Sequence, residues 1–562
     1  MPALLETDRN RTAASNEPRL GRDRPAGRHP GSLGLNDEHE AGLFSNARLT
    51  GWLVALIAVW TLVVVPFRLL GNGWIPPDDA RRHAAKVVSD RSWNEILVLR
   101  DEATVDPHPG WHAVLSAFER IGIRTTPGLV KVSVVVLSLL VLLAPLPFLA
   151  RPEAWLLALV TAALFDPAQL PRFFFGRPLV FTMAVLLVVC AVWPRLRAER
   201  APLGLLGGLA AAIAASTWIH GNWYLWALPL AAFVVAGERR AALRLAACAG
   251  VGCVLGAVAT GHPLSFLGQT LAHPVWALGD SAPLRVRVSE FHPSNGSPLM
   301  LLAVAALLLW RAQSGRWRRD VVVSPLFALV VVSWLLGLRV LRFWSDWGLP
   351  ALLVWMAFEY QELLDARLVV TGRRRLALAA AAAAALFLAA TADTGSRWSK
   401  FPATRLPSLE QVEYRAWLPE PGGTVYSNEL YVFYDLFFQH PHADWRYQLG
   451  FEPSLMPPRD LAIFRRIVLE GASDASLQPW AERLRPEDRM IVKRASSRAP
   501  ALAGLEWVSP QREFWVGRRV RDTAALPPES RGAATPVVPE GGLESDGPPD
   551  SGALDDDDGE AP

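Results

Sequence analysis

Two carboxylates and two histidines lie in a polar stretch that follows the first hydrophobic segment of the chain. Asp78 and Asp79 come directly after a double proline, and His108 opens the segment HPGWH. Carboxylates can serve as general bases or as ligands of a divalent cation. Prolines suit the first turn of a helix, and the apolar residues after each motif recur at helical spacing. We therefore predict two short surface helices here, with the acidic pair at the start of the first.

Several other ionisable residues fall in segments that we place on the same side of a membrane. Ionisable groups at membrane depth are energetically costly, so they are functional candidates by default. Arginine suits a phosphorylated ligand, because its guanidinium group forms bidentate, charge-assisted hydrogen bonds with phosphate. The predicted substrate-binding residues are His108, Arg172, Arg177, His220, Arg339 and Arg342.

Each of these candidates also has an interpretation that involves no chemistry. The acidic pair could only cap its helix and complement the helix dipole. Arg177, which precedes Pro178, could be an anchor at the membrane interface. Arg342 could pair with Asp346 one helical turn later, and His220 could be an interfacial histidine with satisfied hydrogen bonds. The sequence leaves both interpretations open.

The composition indicates a membrane protein. The chain has 562 residues, of which 51% are hydrophobic, and its mean hydropathy is +0.21. Its three cysteines lie in apolar runs, so neither a disulfide framework nor a cysteine metal site is expected. The apolar runs approach the roughly 20 residues that a spanning helix needs. We predict about eleven spans, at 50–70, 128–150, 153–170, 178–194, 202–219, 223–237, 241–260, 298–310, 321–338, 348–363 and 375–391.

The basic residues predict how the spans are oriented. Arginines occur in every second short loop, at Arg151, 195–200, 239–244, 311–319 and 367–375. Such loops face the cytoplasm under the positive-inside rule. The N-terminus is therefore predicted to be cytoplasmic, and the chain after residue 392 to lie outside.

Changes in composition divide the chain into regions. The two ends are polar or rich in proline and glycine and lack periodicity, which is typical of disorder. Near the C-terminus, Leu461, Phe464 and Ile467 mark an amphipathic helix, and MIVK and EFWVG are typical of strands. We predict a disordered cytoplasmic N-terminus at 1–48, a transmembrane domain at 49–392 with a first outer loop at 71–127, an extracytoplasmic α/β domain at 393–521 and a disordered acidic tail at 522–562.

These residues resemble motifs of the GT-C superfamily of integral membrane glycosyltransferases. The superfamily includes oligosaccharyltransferase catalytic subunits, protein O-mannosyltransferases and bacterial enzymes that modify lipid A and arabinan. PPDDARRHAAKVV resembles the acidic motif of its first outer loop, and DPHPGWHAVL resembles the start of its second surface helix. VSEFHP, with Glu290, is similar to a glutamate motif of the oligosaccharyltransferase-like branch. The chain departs from the pattern with Asp79 where glutamate is usual and His83 where an aromatic residue is usual.

The resemblance implies a fold and a reaction. The expected fold is an all-α polytopic membrane protein of the GT-C type, with about eleven transmembrane helices and a small C-terminal α/β domain. The implied catalytic residues are Asp78, Asp79 and Glu290. Asp78 would be the base that activates an acceptor hydroxyl, or these acids would bind a divalent metal ion such as Mg²⁺ or Mn²⁺. The sugar would come from a polyprenyl phosphate or pyrophosphate, and the acceptor would be a glycan, a lipid or a protein.

Two other functions remain open from the sequence. A lipid or sugar flippase or transporter would carry charges near mid-membrane and internal repeats, whereas no clear repeat is visible and the charges lie at the rim. A non-catalytic envelope-glycan assembly protein would use the outer domain to bind a partner. We expect contacts with membrane lipids, no nucleic-acid partner, and a location in a bacterial inner membrane.

Reporter fusions at residues 245 and 400 test the predicted orientation. An odd number of predicted spans separates the two sites, so a cytoplasmic reporter should be active only at 245 and an extracytoplasmic reporter only at 400. Activity of the same reporter at both sites, at matched expression, would show that the predicted topology is wrong.

Overall fold

The computed structural model describes residues 47–279, 289–367, 372–399 and 412–520, apart from residues 495, 497 and 512. Most of these residues are helical, and a small sheet lies towards the C-terminus. The predicted disordered tail at 522–562 and nearly all of the predicted disordered segment at 1–48 lie outside the described residues.

Helices follow one another along the first 400 residues. Several of them begin with proline at one of their first two positions, where the ring favours the helical φ and the missing N–H would have no partner. The helices are α1 (Ala47–Gly71), α2 (Asp79–Ser89), α3 (Trp93–Ile96), α4 (Pro109–Arg120), α5 (Thr126–Leu143), α6 (Pro152–Phe165), α7 (Leu179–Arg197), α8 (Leu203–Ile219), α9 (Ala227–Val235), α10 (Arg239–Val258), α11 (Pro263–Gly279), α12 (Pro298–Gln313), α13 (Pro325–Gly337), α14 (Leu341–Phe343), α15 (Leu349–Arg367) and α16 (Gly372–Thr391).

Ten of the eleven predicted spans overlap an apolar helix. The predicted span at 348–363 overlaps α15, which carries Glu359, Glu362 and Asp365 in its second half. Five of the apolar helices in the described ranges are long enough to cross a membrane, and five others have only 10–17 residues. Length and composition therefore fit an integral membrane protein, while the predicted count of about eleven spans stays a prediction. Among the described residues, the helices long and apolar enough to cross a membrane are Arg48–Gly71, Thr126–Phe148, Leu179–Arg197, Arg239–Val258 and Gly372–Thr391.

Two glycines one turn apart allow α8 and α10 to pack closely. A Cβ at Gly252 would lie 2.7 Å from the Ala210 carbonyl oxygen, and a Cβ at Gly256 would lie 2.4 Å from the Ala214 carbonyl oxygen. Small residues at this spacing let membrane helices approach until their backbones touch. This G-x-x-x-G pattern therefore sets the distance between the two helices.

The C-terminal region forms a five-stranded mixed sheet with the strand order β2–β1–β3–β5–β4. β1 is parallel to β2 and β3, and β5 is antiparallel to β3 and β4. The predicted amphipathic helix coincides with α18, and the two predicted strands coincide with β3 and β5. The elements are β1 (Gly423–Ser427), α17 (Leu430–Gln439), β2 (Trp445–Tyr447), α18 (Pro458–Leu469), α19 (Asp474–Ala481), β3 (Arg489–Lys493), β4 (Leu505–Gln511) and β5 (Phe514–Arg519).

The segment predicted as the first outer loop and the C-terminal domain share one hydrophobic core. Trp93 and Leu97 of the loop pack with Phe433 and Tyr447 of the domain. Leu97 pairs with Tyr447 as a parallel bridge, and the Val98 N–H donates to the Tyr447 carbonyl oxygen at 3.0 Å. The predicted helices α2 and α4 are present, but α17 packs on α2. The α2 helix therefore lies between the bundle and the C-terminal domain. Ala80, Ala84 and Val87 pack in the bundle core, and Ala85 packs in the core shared with the domain.

A buried ion pair joins α2 to α17. The Arg81 guanidinium donates to the Asp435 carboxylate, and both side chains are 1% exposed. Arg81 Nε also donates to the Pro76 carbonyl oxygen at 2.8 Å. A buried charge needs such partners, because an unpaired charge in a protein interior is strongly unfavourable.

Asp435→Ala is expected to destabilise the protein by about 3–5 kcal/mol, because it removes the opposite charge from a buried guanidinium. The midpoint of thermal unfolding in detergent measures the effect. The matched control is Arg466→Ala, which removes the exposed Arg466–Glu470 pair and should change stability by less than about 1 kcal/mol. Equal effects of the two substitutions would contradict a linking role for the buried pair.

Candidate functional site

The first acidic residue of the pair does not act as a helix cap. Asp78 is the residue before α2, and its side chain makes no hydrogen bond to the helix N-terminus. Its carboxylate instead accepts hydrogen bonds from Arg177, from Nε at 3.3 Å and from Nη2. Capping alone therefore does not account for Asp78, and the structure pairs it with a residue that precedes α7.

The turn between α6 and α7 positions two of the predicted arginines. Arg172 lies in a short 3₁₀ helix, Leu170–Phe173, which is held by a hydrogen bond of 3.0 Å from the Ser138 hydroxyl to the Phe173 carbonyl oxygen. Gly176 has a φ of +64°, and a Cβ there would lie 3.3 Å from the Cβ of Ala80. Glycine lets the turn adopt this conformation and pass close to α2, which brings Arg177 to Asp78.

Two further acids complete a chain of alternating charges. Glu290 accepts hydrogen bonds from Arg177 and, at 3.0 Å, from Arg172 Nη1. Arg172 Nε donates to Asp346 at 2.6 Å. The order is therefore Asp78, Arg177, Glu290, Arg172, Asp346, which we call the charge chain. Its members are far apart in sequence, so only the folded protein brings them together.

Asp346 lies in a π-helical turn, Trp344–Gly348, that precedes α15. Single π turns are frequent at functional sites, because they re-aim the side chains of a helix. Burial alone would raise the pKa of Asp346, but Arg172 and Arg342 hold it below its ordinary value. Asp346 therefore stays ionised and holds its arginine partners in place.

The second acidic residue of the pair has different partners. Asp79 accepts hydrogen bonds from Arg82 Nε at 2.7 Å and from the Tyr434 hydroxyl at 3.3 Å. The Arg82 guanidinium lies 4.0 Å from the centroid of the Phe451 ring. Burial opposes ionisation of Asp79, but Arg82 and Arg177 hold its pKa well below the ordinary value. Asp79 therefore connects the first outer loop to the C-terminal domain, whereas Asp78 connects it to the helix bundle.

A cavity of about 270 Å³ lies beside the charge chain, between the helix bundle, α11 and the C-terminal domain. Arg342 lines it, and its side chain is 30% exposed. Arg342 Nε is 3.4 Å from both Glu290 Oε2 and Asp346 Oδ2, a looser pairing than that of Arg172 or Arg177. The other residues that line the cavity include His108, His220, Tyr224, Leu225, His273, Phe343, Trp347 and Glu452.

The structure brings together all but one of the predicted site residues. His108 and His220 line the cavity with Arg342. Arg339 is exposed and forms no ion pair within the part of the chain that the structure describes. The sequence grouped Arg339 with Arg342 because they are three residues apart. The chain has already left α13 at Gly337, so Arg339 lies in an exposed turn, whereas Arg342 lies in α14 and lines the cavity.

Sequence reasoning missed a row of buried histidines beside the cavity. His83 Nδ1 lies 2.8 Å from His112 Nε2, and His112 Nδ1 lies 2.5 Å from Asp106 Oδ2. The His83 ring centroid is 4.8 Å from that of His108, which is 5.1 Å from that of His220. The available signal was the four-residue spacing of the two histidines in HPGWH, which brings both to the same end of α4.

The acids predicted as metal ligands do not form a metal site in this arrangement. Arg177 bridges Asp78 and Glu290, while Asp79 is bound to Arg82. Among the described residues, no three His, Cys, Asp or Glu side chains are placed to hold a metal ion. A divalent cation is bound by free carboxylate oxygens, and here guanidinium groups already occupy them. The arrangement therefore does not fit Mg²⁺ or Mn²⁺.

The fold and the site define a helical membrane protein with a paired charge cluster next to a C-terminal α/β domain. No family model and no curated protein matches its sequence. Among solved structures, it is similar to the crystal structure of the Archaeoglobus fulgidus oligosaccharyltransferase tethered through a disulfide bond with an acceptor peptide containing the NVT sequon. The identity is 12% and the TM-score is 0.45, over 80% of this chain and 70% of that chain. At this identity and TM-score, no residue role of that protein is assigned to this chain.

Burial lowers the pKa of three histidines in the row. The pKa values of His83 and His108 lie well below the ordinary 6.5, with Arg82 as the second cause. That of His220 is lowered to about 3, with Arg342 as the second cause. These side chains are neutral in the folded protein, so below pH 6.5 the unfolded chain binds more protons than the folded one. Their contribution to stability therefore falls as the pH falls.

Other groups with shifted pKa values affect the stability of the fold in different pH ranges or with the opposite dependence on pH. Burial opposes protonation of His273, but Glu452 raises its pKa, so its contribution is present at low pH and is lost as the pH rises. Asp79 and Asp106 have lowered pKa values despite burial, because Arg82 and His112 respectively favour the charged forms. Their contribution is lost only when the pH falls below the ordinary value of 3.8.

Lowering the pH from about 7.5 to about 5 should therefore lower the Tm of the detergent-purified protein, since three histidines outweigh His273. His108→Asn should reduce the difference between the Tm values at the two pH values. His442→Asn, at an exposed turn position, should leave that difference unchanged. A Tm that rises on acidification would contradict the assignment of neutral buried histidines.

Proposed function

We propose that this protein is a membrane glycosyltransferase of the GT-C type. It transfers a sugar from a polyprenyl phosphate or pyrophosphate to a hydroxyl group of an acceptor at the outer face of the membrane. The observation that carries the proposal is the position of Arg342, a loosely paired guanidinium group in the wall of a cavity beside the charge chain.

Arg342 is the proposed contact for the donor phosphate. Arg172 and Arg177 each bind two carboxylates closely, with side chains that are 10% and 16% exposed. Arg342 has only contacts of 3.4 Å and faces the cavity. A phosphate can therefore replace its carboxylate partners at small energetic cost, since one charge-assisted pair is exchanged for another.

The cavity also suits the lipid part of such a donor. Leu225, Phe343 and Trp347 line it together with Arg342 and Glu452. The apolar side chains belong to the helix bundle and Glu452 to the C-terminal domain. A ligand with a charged head and an apolar chain matches this combination, because each part meets groups of its own polarity.

The proposed reaction joins the acceptor oxygen to the anomeric carbon of the sugar. The bond from that carbon to the phosphate oxygen breaks, and its electron pair goes to the phosphate, where Arg342 stabilises the charge. The sequence predicts Asp78 as the base, and in this structure that role would need a rearrangement. Both of its oxygens accept hydrogen bonds from Arg177, so it can accept a proton only when Arg177 turns towards the donor phosphate. Glu290, which binds Arg177 and Arg172, is proposed to hold these arginines.

Arg342→Lys tests the proposed donor contact. Lysine keeps the charge but lacks the bidentate guanidinium, and a hydrogen bond to a charged group contributes about 1.5–3 kcal/mol. We therefore expect kcat/KM for the lipid-linked donor to fall by about 10- to 100-fold. The assay is sugar transfer in membranes with matched protein levels.

Arg339→Lys is the matched control, because Arg339 is exposed and lies three residues away. It should retain the activity of the unaltered protein. Equal activities of the two variants would remove Arg342 from the donor site. Sugar transfer that is absent from the unaltered protein with every lipid-linked donor tried would favour the transporter or assembly function.

A further inference from the structure

The row of histidines begins at a carboxylate and ends in the cavity. Asp106 and His112 lie at one end, His83 and His108 follow, and His220 is at the other end. His108 and His220 line the cavity, whereas His83 is completely buried. Asp106 lines a neighbouring cavity of about 290 Å³, and its side chain is 24% exposed. The row therefore connects the proposed reaction site to a second, partly exposed site.

The hydrogen bonds at the carboxylate end determine which nitrogen atoms carry protons. An ionised Asp106 can only accept, so His112 must donate from Nδ1, and its Nε2 in the neutral ring is then an acceptor. His83 must consequently donate from Nδ1 to His112 Nε2. The Nε2 atom of neutral His83 is left as an unprotonated base. That atom is buried and has no hydrogen-bond partner.

Two other histidines of the row also have a ring nitrogen without a hydrogen-bond partner. His108 Nδ1 and His220 Nδ1 are also buried without a partner. Buried polar atoms normally have partners, so each exception calls for an explanation. Ring rotation or one bridging water molecule is enough to join imidazoles whose centroids are about 5 Å apart. An imidazole can take a proton on one nitrogen while it releases a proton from the other.

We propose that His220, His108, His83 and His112 form a proton relay that carries the proton of the acceptor hydroxyl from the cavity to Asp106. The catalytic use of the relay rests on the proposed function, whereas its hydrogen-bond pattern does not. In place of Asp78, His220 or His108 takes the proton as the acceptor oxygen bonds to the sugar. The proton rests on His112 as an imidazolium paired with the Asp106 carboxylate, and it then passes to water.

The charges around the row favour movement in this direction. Burial disfavours a proton at His83, His108 and His220, and Arg82 adds to this effect at the first two rings and Arg342 at the third. Asp79 and Asp346 face His220 with the opposite sign but do not outweigh burial and Arg342. At the other end, Asp106 is ionised and bonded to His112, with Lys86 as a further charge near Asp106. The only adjacent carboxylate bonded to an imidazole of the row within the described residues is Asp106.

The relay also separates proton uptake from the pairing of buried charges, which the charge chain cannot do at the same time. Asp78 can become a base only if it leaves Arg177, which would uncover a buried guanidinium group. The histidine row accepts a proton without breaking any ion pair of the charge chain. His220 and His108 are therefore proposed as catalytic residues, and His83, His112 and Asp106 as positioning residues that act through them.

Nitrogen NMR of protein labelled with ¹⁵N-histidine tests the hydrogen-bond pattern without any assay of activity. Single His→Asn variants assign the signals. We expect His112 and His83 to carry their protons on Nδ1 at neutral pH. A proton on Nε2 of His83 would overturn the relay, because that nitrogen could not then receive a proton from His108.

Chemical rescue tests the catalytic use. His220→Ala and His83→Gln should each lower kcat, by up to the roughly 10²- to 10⁴-fold that a positioned proton acceptor supplies, with the KM of the donor little changed. Added imidazole should restore part of the kcat of His220→Ala, whereas pyrazole, which has the same size but is a far weaker base, should not. His442→Asn is the control for removal of a histidine at an exposed position.

The outcomes separate the two proposals. Equal rescue by imidazole and pyrazole, or full kcat in His83→Gln across the pH range, would overturn the relay while the proposed function stands. Absence of sugar transfer by the unaltered protein would overturn the proposed function and the catalytic use of the row. The NMR result alone would then decide whether the predicted proton row exists.

Discussion

A guanidinium group at the edge of an apolar helix bundle must find its counter-charges inside the protein, and Arg177 is the clearest case. Its partners are Asp78 from the first outer loop and Glu290 from the segment before α12. Breaking such a pair leaves a buried charge and is strongly destabilising. Arg177 therefore ties two distant segments to the start of α7, and the charge chain continues from Glu290 through Arg172 to Asp346. The ends of several helices are positioned by this one requirement.

The C-terminal domain is part of the site. Its α17 supplies Asp435 to Arg81 and Tyr434 to Asp79, and its core includes residues of the first outer loop. Glu452 and Phe451 form part of the cavity wall. The loop that carries the acidic pair is consequently fixed from both sides, by the bundle through Asp78 and by the domain through Asp79. A change that loosens the domain would also displace the proposed donor and proton sites.

The charges of the site balance while leaving one cation accessible. The carboxylates of Asp78, Asp79, Glu290 and Asp346 face the guanidinium groups of Arg82, Arg172, Arg177 and Arg342. Only the last of these arginines lines the cavity. His83, His108 and His220 of the histidine row are neutral in the folded protein and so leave this balance unchanged. Phosphate binding and proton uptake are thus proposed for neighbouring but separate groups, which avoids placing a free carboxylate next to an anionic donor.

The sequence by itself determined the apolar helices, the positions of α2 and α4 and several elements of the C-terminal domain, because hydrophobic periodicity and proline positions are local properties. It also indicated most of the polar residues of the site. Only the tertiary structure decided their partners. The pairs of the charge chain join residues 99, 113, 118 and 174 positions apart, and no local pattern encodes such distances. For the same reason the sequence could not separate Arg342 from the exposed Arg339, assign different partners to Asp78 and Asp79, or reveal that four histidines from distant segments form one row.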